Sequence, residues 1–248
     1  MIQLIPAEKR HFTDFGWLKT YWLFSFSNYY DPQNIQFGPL RVFNDDVVLP
    51  GYGFPTHPHR EMEIITIVLS GEITHEDSMG NKNVIHAGEV QRMSAGMGIT
   101  HSEFNRSDHS VRFYQIWIYP DIPGLKPSYD QRAYDFSDWN NKLLPVASGK
   151  GMTDVVTFNA DATIYRAELD ASRILEFNTN EFRRTFVYLT AGRLCINGTI
   201  LESNDQARID LEDCIKISAE ENSSFVLIDL PNPRGWGYDE TTLKGTRV

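Results

Sequence analysis

Thr66-Ile67-Val68-Leu69-Ser70-Gly71-Glu72-Ile73 is a run of β-branched and aliphatic residues closed by a glycine. It recurs further along the chain as Phe186-Val187-Tyr188-Leu189-Thr190-Ala191-Gly192-Arg193-Leu194, with Gly71 opposite Gly192 at an offset of 121 residues. Both stretches have strand composition and a turn residue in the same place, so the chain reads as two related β units in tandem. A second pair of segments supports this. Val111 to Pro120 and Ser224 to Pro231 are each an apolar strand ended by proline.

Working outward, the same strand signals cover Glu63 to Leu69, Asn83 to Ile85, Val111 to Tyr119, Thr163 to Leu169, Thr185 to Leu189, Cys214 to Ile217 and Phe225 to Leu230. Gly, Asn, Asp and Pro separate them. Many short strands at close spacing predict an all-β chain built as barrels or sandwiches, with the best helical signal confined to Phe136 to Leu144. The Pro/Gly/Tyr-rich stretch Tyr119 to Tyr134 is the natural joint. It predicts one barrel over residues 1–128 and a second over 129–248.

The chain has 248 residues, enough for a full core, and its 41% hydrophobic and 12% aromatic content argues against disorder. Its formal net charge of −10 would repel a nucleic-acid backbone, so direct nucleic-acid binding is disfavoured. No basic segment followed by an apolar run opens the sequence, and no apolar run reaches membrane-spanning length, so a soluble, cytoplasmic monomer is expected. Cys195 and Cys214 lack CxxC spacing, which excludes a cysteine zinc knot and predicts two buried thiols.

Chemistry concentrates in the first unit. All seven histidines lie before residue 110, and two short pairs stand out, His57-Pro58-His59 and His101-Ser102-Glu103. Alternate residues of a strand share a face, so spacing of two aims both members of each pair the same way. Three imidazoles and a carboxylate suit Fe(II), Ni(II), Cu(II), Mn(II) or Zn(II) and serve Ca²⁺ and Mg²⁺ poorly. At the repeat offset, His57 and His59 fall on Asn178 and Asn180, poor ligands, so the second barrel is expected to be metal-free. Glu63 also stands an even number of residues from His57. Parity does not separate Glu63 from Glu103 as the fourth ligand.

Gly51-Tyr52-Gly53-Phe54-Pro55-Thr56-His57-Pro58-His59-Arg60-Glu61-Met62-Glu63 resembles the first cupin motif, and Gly88, Ser94-Ala95-Gly96 and His101 resemble the second. Tyr29-Tyr30-Asp31-Pro32, Phe37-Gly38-Pro39-Leu40-Arg41-Val42, Asn44-Asp45-Asp46, His75-Glu76-Asp77-Ser78-Met79-Gly80-Asn81 and Ser94 to Glu103 narrow the resemblance to the pirin family. That resemblance implies a bicupin of double-stranded β-helix type, with one metal in the N-terminal barrel. The ligands it implies are His57, His59, His101 and Glu103, with Fe(II) as the first choice and Cu, Ni, Mn, Co or Zn as alternatives. The general cupin pattern favours Glu63, whereas the pirin pattern favours Glu103 and leaves Glu63 to orient a ligand imidazole or to pair with an arginine. Glu61-Met62, in place of the family's frequent Gly-Phe, puts an extra charge near the site.

The resemblance also implies an activity, quercetin 2,3-dioxygenase, with a flavonol and O₂ as substrates, ring opening and release of carbon monoxide. Glu103 is then the base that takes the flavonol 3-hydroxyl proton. The other role it implies is a redox-sensitive metal-binding module that presents a surface to a protein partner. Among the remaining residues, Met93 and Met97 read as gap-filling core, Trp117 and Tyr119 as packing, Asn81 as a turn, and His75, His86 and His109 as structural or exposed. Gly96 and Gly98 are read as permitting a tight bend beside His101.

Overall fold

A computed structural model of the chain describes residues 1–232; the expected second barrel's residues 233–248 lie outside that range. The architecture is all-β, two cupin-type barrels, each made of a seven-stranded and a four-stranded sheet. In the first barrel the large sheet runs Ser128–Ala133, Glu89–Ser94, Glu63–Ser70, Val111–Ile118, Leu40–Val48, Leu18–Trp22, His11–Asp14. Facing it is the small sheet Gly53–His59, Ile99–Phe104, Glu72–Asp77, Lys82–His86. The segment read as weakly helical holds one short 3₁₀ turn, Phe136–Trp139, and passes into strand at Leu144–Ser148.

The two glycines that first suggested duplication occupy equivalent corners. Gly71 joins Glu63–Ser70 to Glu72–Asp77 at φ +74°, and Gly192 joins Arg183–Ala191 to Arg193–Ile196 at φ +94°. A Cβ at Gly71 would come within 2.8 Å of the Ser110 carbonyl, and one at Gly192 within 2.4 Å of the Asn222 carbonyl. Each corner is thus pressed against the residue that leads into a central strand, Val111–Ile118 in one barrel and Ser223–Pro231 in the other. Only a residue without a side chain fits both demands.

The large sheets pack face to face, and that explains why Glu63–Ser70 reads as a continuous apolar run with no alternation. Its Ile65 and Ile67 turn outward into a core shared by both barrels, while Ile64 and Val68 turn into the first barrel. Aromatic rings carry the shared core. Phe43 lies 5.4 Å from Phe186 and 5.1 Å from Tyr188 between ring centroids, and Tyr114 meets Tyr188 edge-on at 5.5 Å. The buried hydroxyls are satisfied across the joint, Tyr114 donating to Thr190 at 2.8 Å and Tyr188 to Asp45 at 3.2 Å.

A cut at residue 128 does not separate the sheets. Ser128–Ala133 pairs with Glu89–Ser94 in the first barrel, and Ile2–Ile5 pairs with Gln206–Asp210 in the second. Turn residues mark where the chain bends and carry no information about which sheet the next strand joins. Each barrel therefore holds an edge strand from the far side of the boundary. Truncating Phe186 to Ala at the shared core should cost about 3–5 kcal/mol. The measurement is urea unfolding followed by tryptophan fluorescence, with a single lowered midpoint expected.

Candidate metal centre

The centre is built on one pair of strands. Gly53–His59 and Ile99–Phe104 run antiparallel with His101 directly opposite His57 and Ile99 opposite His59, so the two histidine segments meet face to face. A bulge between His101 and Glu103 moves Glu103 opposite Phe54, yet both side chains stay buried on the inner face. Gly53 makes this possible. A Cβ there would sit 2.1 Å from the Glu103 carbonyl oxygen.

The nitrogens of His57, His59 and His101 lie within 4.8 Å of one another, and a second group of the same span joins His75, His101 and Glu103. His101 is common to both. Ring centroids stand 4.5 Å apart for His57 and His101, 4.8 Å for His57 and His59, and 5.0 Å for His59 and His101. The Nδ1 of His57 donates to the Pro55 carbonyl at 2.7 Å, which leaves its Nε2 lone pair free. The Nε2 atoms of His59 and His101 are buried and have no hydrogen-bond partner. A buried polar atom without a partner is costly, and two such nitrogens beside the Nε2 of His57 fit a bound transition-metal ion.

Electrostatics favour the same use. Burial, reinforced by His57, pulls the His59 pKa down to about 4, and burial with the neighbouring imidazoles pulls His101 down to about 2. Both rings are uncharged at neutral pH and keep a lone pair. Burial pushes Glu103 up to about 7, against hydrogen bonds from Thr66 and Gln115 that favour the carboxylate. Gln115 Nε2 donates to Oε2 at 2.9 Å and Thr66 Oγ1 to Oε1 at 3.3 Å.

These groups form one wall of a cavity of about 570 Å³ in the first barrel, faced by Trp22, Phe26, Phe54 and Trp117. Trp117, read from sequence as packing, lines this cavity and meets the His59 ring edge-on at 4.9 Å. Met93 is buried among Met62, Ile64, Ala95 and Ile99, whereas Met97 is 56% exposed. Gly96 and Gly98 form the tight bend read for them, at φ +46° and +140° with the Gly98 amide donating to the Ala95 carbonyl at 2.9 Å, and Gly96 also makes a close contact. A Cβ there would meet the Leu125 carbonyl at 2.0 Å, and one at Gly98 would meet open space.

Glu63 stands apart from the imidazoles. Its carboxylate accepts from Ser94 Oγ at 2.5 Å and from Asn159 Nδ2 at 3.1 Å, the latter in the second barrel. The parity reading assumed an unbroken strand from His57. The strand stops at His59, Glu61 takes φ +50°, and pairing resumes at Glu63 with its side chain outward alongside Ile65 and Ile67. The charge of Glu61 is spent on a loop, its carboxylate accepting from the Gly124 amide at 3.0 Å, and Met62 packs beneath it in the core.

The structure also brings up residues that spacing alone did not single out. His75 was read as structural or exposed; it is fully buried, and its ring lies 5.2 Å from that of His101. Asn44 and Asp46 line the cavity from the large sheet. Burial, with smaller contributions from Asp45 and Glu103, raises Asp46 from 3.8 to about 8, although Thr20 opposite it pulls the other way. His86 and His109 are exposed, as read. So is Cys214, and Cys195 is half-buried, so neither thiol is the fully buried one expected. No helix among the described residues is long and apolar enough to cross a membrane.

Two cupin-type barrels, with a His/Glu cluster that could hold a metal inside one of them, define a bicupin. Comparison with known proteins narrows the class. Residues 6–118 match the Pirin family model, and residues 145–230 match the quercetinase C-terminal cupin domain. A quercetin 2,3-dioxygenase of Escherichia coli K12 is 41% identical over 232 residues, which is 93% of this chain and 99% of that protein. A pirin-like protein of Caulobacter vibrioides is also 41% identical, over 92% of this chain and 99% of its own. The crystal structure of the bacterial pirin YhhW from Escherichia coli in complex with nickel(II) superposes with a TM-score of 0.88 at 40% identity, covering 93% of this chain and 99% of that one. The chain belongs to the pirin family.

Asp46 supplies a test of the site's electrostatics. Its native pKa lies above its unfolded value, so the folded state holds the extra proton, and this contribution to stability is lost as pH rises from about 4 to about 8. Asp46→Asn keeps the shape and removes the ionisation. The thermal midpoint of the metal-free variant should fall less between about pH 6 and pH 9 than that of the parent. Parallel curves would contradict the burial argument.

Proposed function

We propose that this chain is a metal-dependent flavonol dioxygenase of the quercetin 2,3-dioxygenase type. In this reading His57, His59, His101 and Glu103 hold the metal, Fe(II) by first choice, and a planar aromatic substrate fills the cavity beside it. One observation carries the reading: bare, buried imidazole nitrogens converge on the wall of an aromatic-lined cavity of about 570 Å³, large enough for a drug-sized ligand. The names of the relatives and the nickel(II) complex of YhhW agree with it.

When bound, the metal supplies Lewis acidity toward the substrate's 3-hydroxyl and redox chemistry toward O₂. The protein's own contribution is positional. Trp22, Phe26, Phe54 and Trp117 offer flat apolar walls that align a planar ring and exclude water. Glu103 accepts the 3-hydroxyl proton. Its Oε2 is held by Gln115 at 2.9 Å, while Oε1 has only the longer 3.3 Å contact with Thr66, so Oε1 is the oxygen free to take the proton. Without metal, burial raises the Glu103 carboxyl to about 7, so it takes up a proton more readily than an exposed carboxylate. A base role would need Glu103 free of the metal at that step, and the hydrogen bond from Gln115 would keep its carboxylate within the site.

Oxygen uptake on quercetin by apo protein reloaded with Fe(II) tests this directly. Uptake with carbon monoxide release is expected, vanishing in His101→Ala, while Glu103→Ala should lose about 100-fold or more in kcat. Iron bound at one equivalent with no uptake would sink the catalytic reading and favour a metal-dependent binding role. Full turnover by Glu103→Ala would remove Glu103 as the base.

A further inference from the structure

Behind His101, on the side away from His57 and His59, lies a buried pair that the reaction above does not use. The strand Glu72–Asp77 pairs with Ile99–Phe104, placing Asp77 opposite His101 and His75 opposite Glu103. The side chains of His75 and Asp77 are both fully buried. His75 Nε2 lies 3.1 Å from Asp77 Oδ2, and His75 Nδ1 lies 3.4 Å from His101 Nδ1. Tyr129 covers the His75 ring at 5.0 Å between centroids.

The positions of the protons follow from donor and acceptor counting. Asp77 is held as an acceptor. Burial would raise its pKa, but hydrogen bonds from Asn81, His75 and the Met79 amide outweigh this and keep it below its ordinary value. Oδ1 receives the Met79 and Asn81 amides, and Oδ2 receives Asn81 Nδ2 at 2.8 Å. A carboxylate only accepts, so the facing His75 Nε2 must carry hydrogen. In a neutral ring its Nδ1 is then bare. Two bare nitrogens at 3.4 Å would repel, so the hydrogen between them belongs to His101 Nδ1. That leaves His101 Nε2 bare, and it is one of the buried atoms without a partner. The alternative, a cationic His75 donating to His101, would put N–H on His101 Nε2 with nothing to receive it, at the cost of a buried unsatisfied donor.

We propose that His75, anchored by Asp77, is a positioning residue that locks His101 in its Nδ1–H tautomer and so aims the Nε2 lone pair at the metal. The inference rests on the reading of His57, His59 and His101 as ligands. It assigns a purpose to two residues that the sequence offers only as part of a family motif on a strand and its turn. Carboxylates or carbonyls behind ligand histidines act in this way in metal sites generally. Here the carboxylate acts through a second imidazole.

Two measurements test it. In ¹⁵N-histidine-labelled protein, two-bond ¹⁵N–¹H correlation spectra of the apo and Zn(II)-loaded forms should show His75 as the Nε2–H tautomer and His101 as the Nδ1–H tautomer. A cationic His75 or an Nε2–H His101 in the apo form would overturn the proposal with no variant needed. The second measurement is Ni(II) affinity by competition with a chelator. His75→Gln, which keeps an acceptor for His101 and a donor for Asp77, should stay within about threefold of the parent, whereas His75→Leu should lose about 10–100-fold. Equal losses in both would make His75 a ligand and not a positioning residue, and unchanged binding in both would remove it from the site. A parent protein with the expected tautomers that binds neither Zn(II) nor Ni(II) would instead refute the ligand assignment itself, and the positioning role with it.

Discussion

Everything in the first barrel's chemistry depends on the antiparallel register of Gly53–His59 against Ile99–Phe104. Side chains alternate along a strand, so a slip of one residue would turn His101 outward while His57 and His59 still faced in. The register that sets His101 opposite His57 also decides what lies on the other side of the same strand, Asp77 and His75. The bulge after His101 then adjusts Glu103 without changing its face. Gly53 is the cost of that bulge. It is the position where the neighbouring backbone comes too close for any side chain.

The large sheet behind the cavity is fixed from its far side. Val111–Ile118 shows the division. Val111, Phe113, Gln115 and Trp117 point into the first barrel, and Tyr114, Ile116 and Ile118 enter the shared core. Gln115 therefore grips Glu103 from a strand whose other face is wedged against the second barrel. The second barrel repeats the strand pairing but presents Asn178 opposite Cys214 where the first presents His57 opposite His101. Its visible contribution is mechanical, a rigid backing that reaches the first barrel through Phe186, Tyr188 and Asn159.

The fold was readable from sequence because two period signals survive in it, alternation in the small sheets and unbroken apolar runs in the large ones. The three imidazoles were readable for the same reason, since an i,i+2 spacing on a strand fixes a common face. Glu63 shows where this logic ends. Counting residues from His57 assumes that the strand continues, and one positive φ at Glu61 resets the count. His75 shows a second limit. Its own spacing to Asp77 marks a shared face, but its meaning comes from the neighbouring strand, and cross-strand partners are set by topology that a single sequence does not state. The exchange of Ile2–Ile5 and Ser128–Ala133 between barrels was hidden for the same reason.

One physical cause, burial, gives the site its chemistry from both directions. It disfavours charge, so it strips protons from His59 and His101 and returns them to Glu103 and Asp46. An imidazole that carries two protons has no lone pair for a metal, and a carboxylate locked in its charged form has no driving force to take a proton from a phenolic hydroxyl. The same apolar walls that would hold a planar ring thus also keep the imidazoles uncharged, with a nitrogen lone pair bare, and the carboxyl poised near neutrality. A polar cavity with the same histidines in the same register would lose both properties, which is why Trp22, Phe26, Phe54 and Trp117 belong to the chemistry as much as the residues they surround.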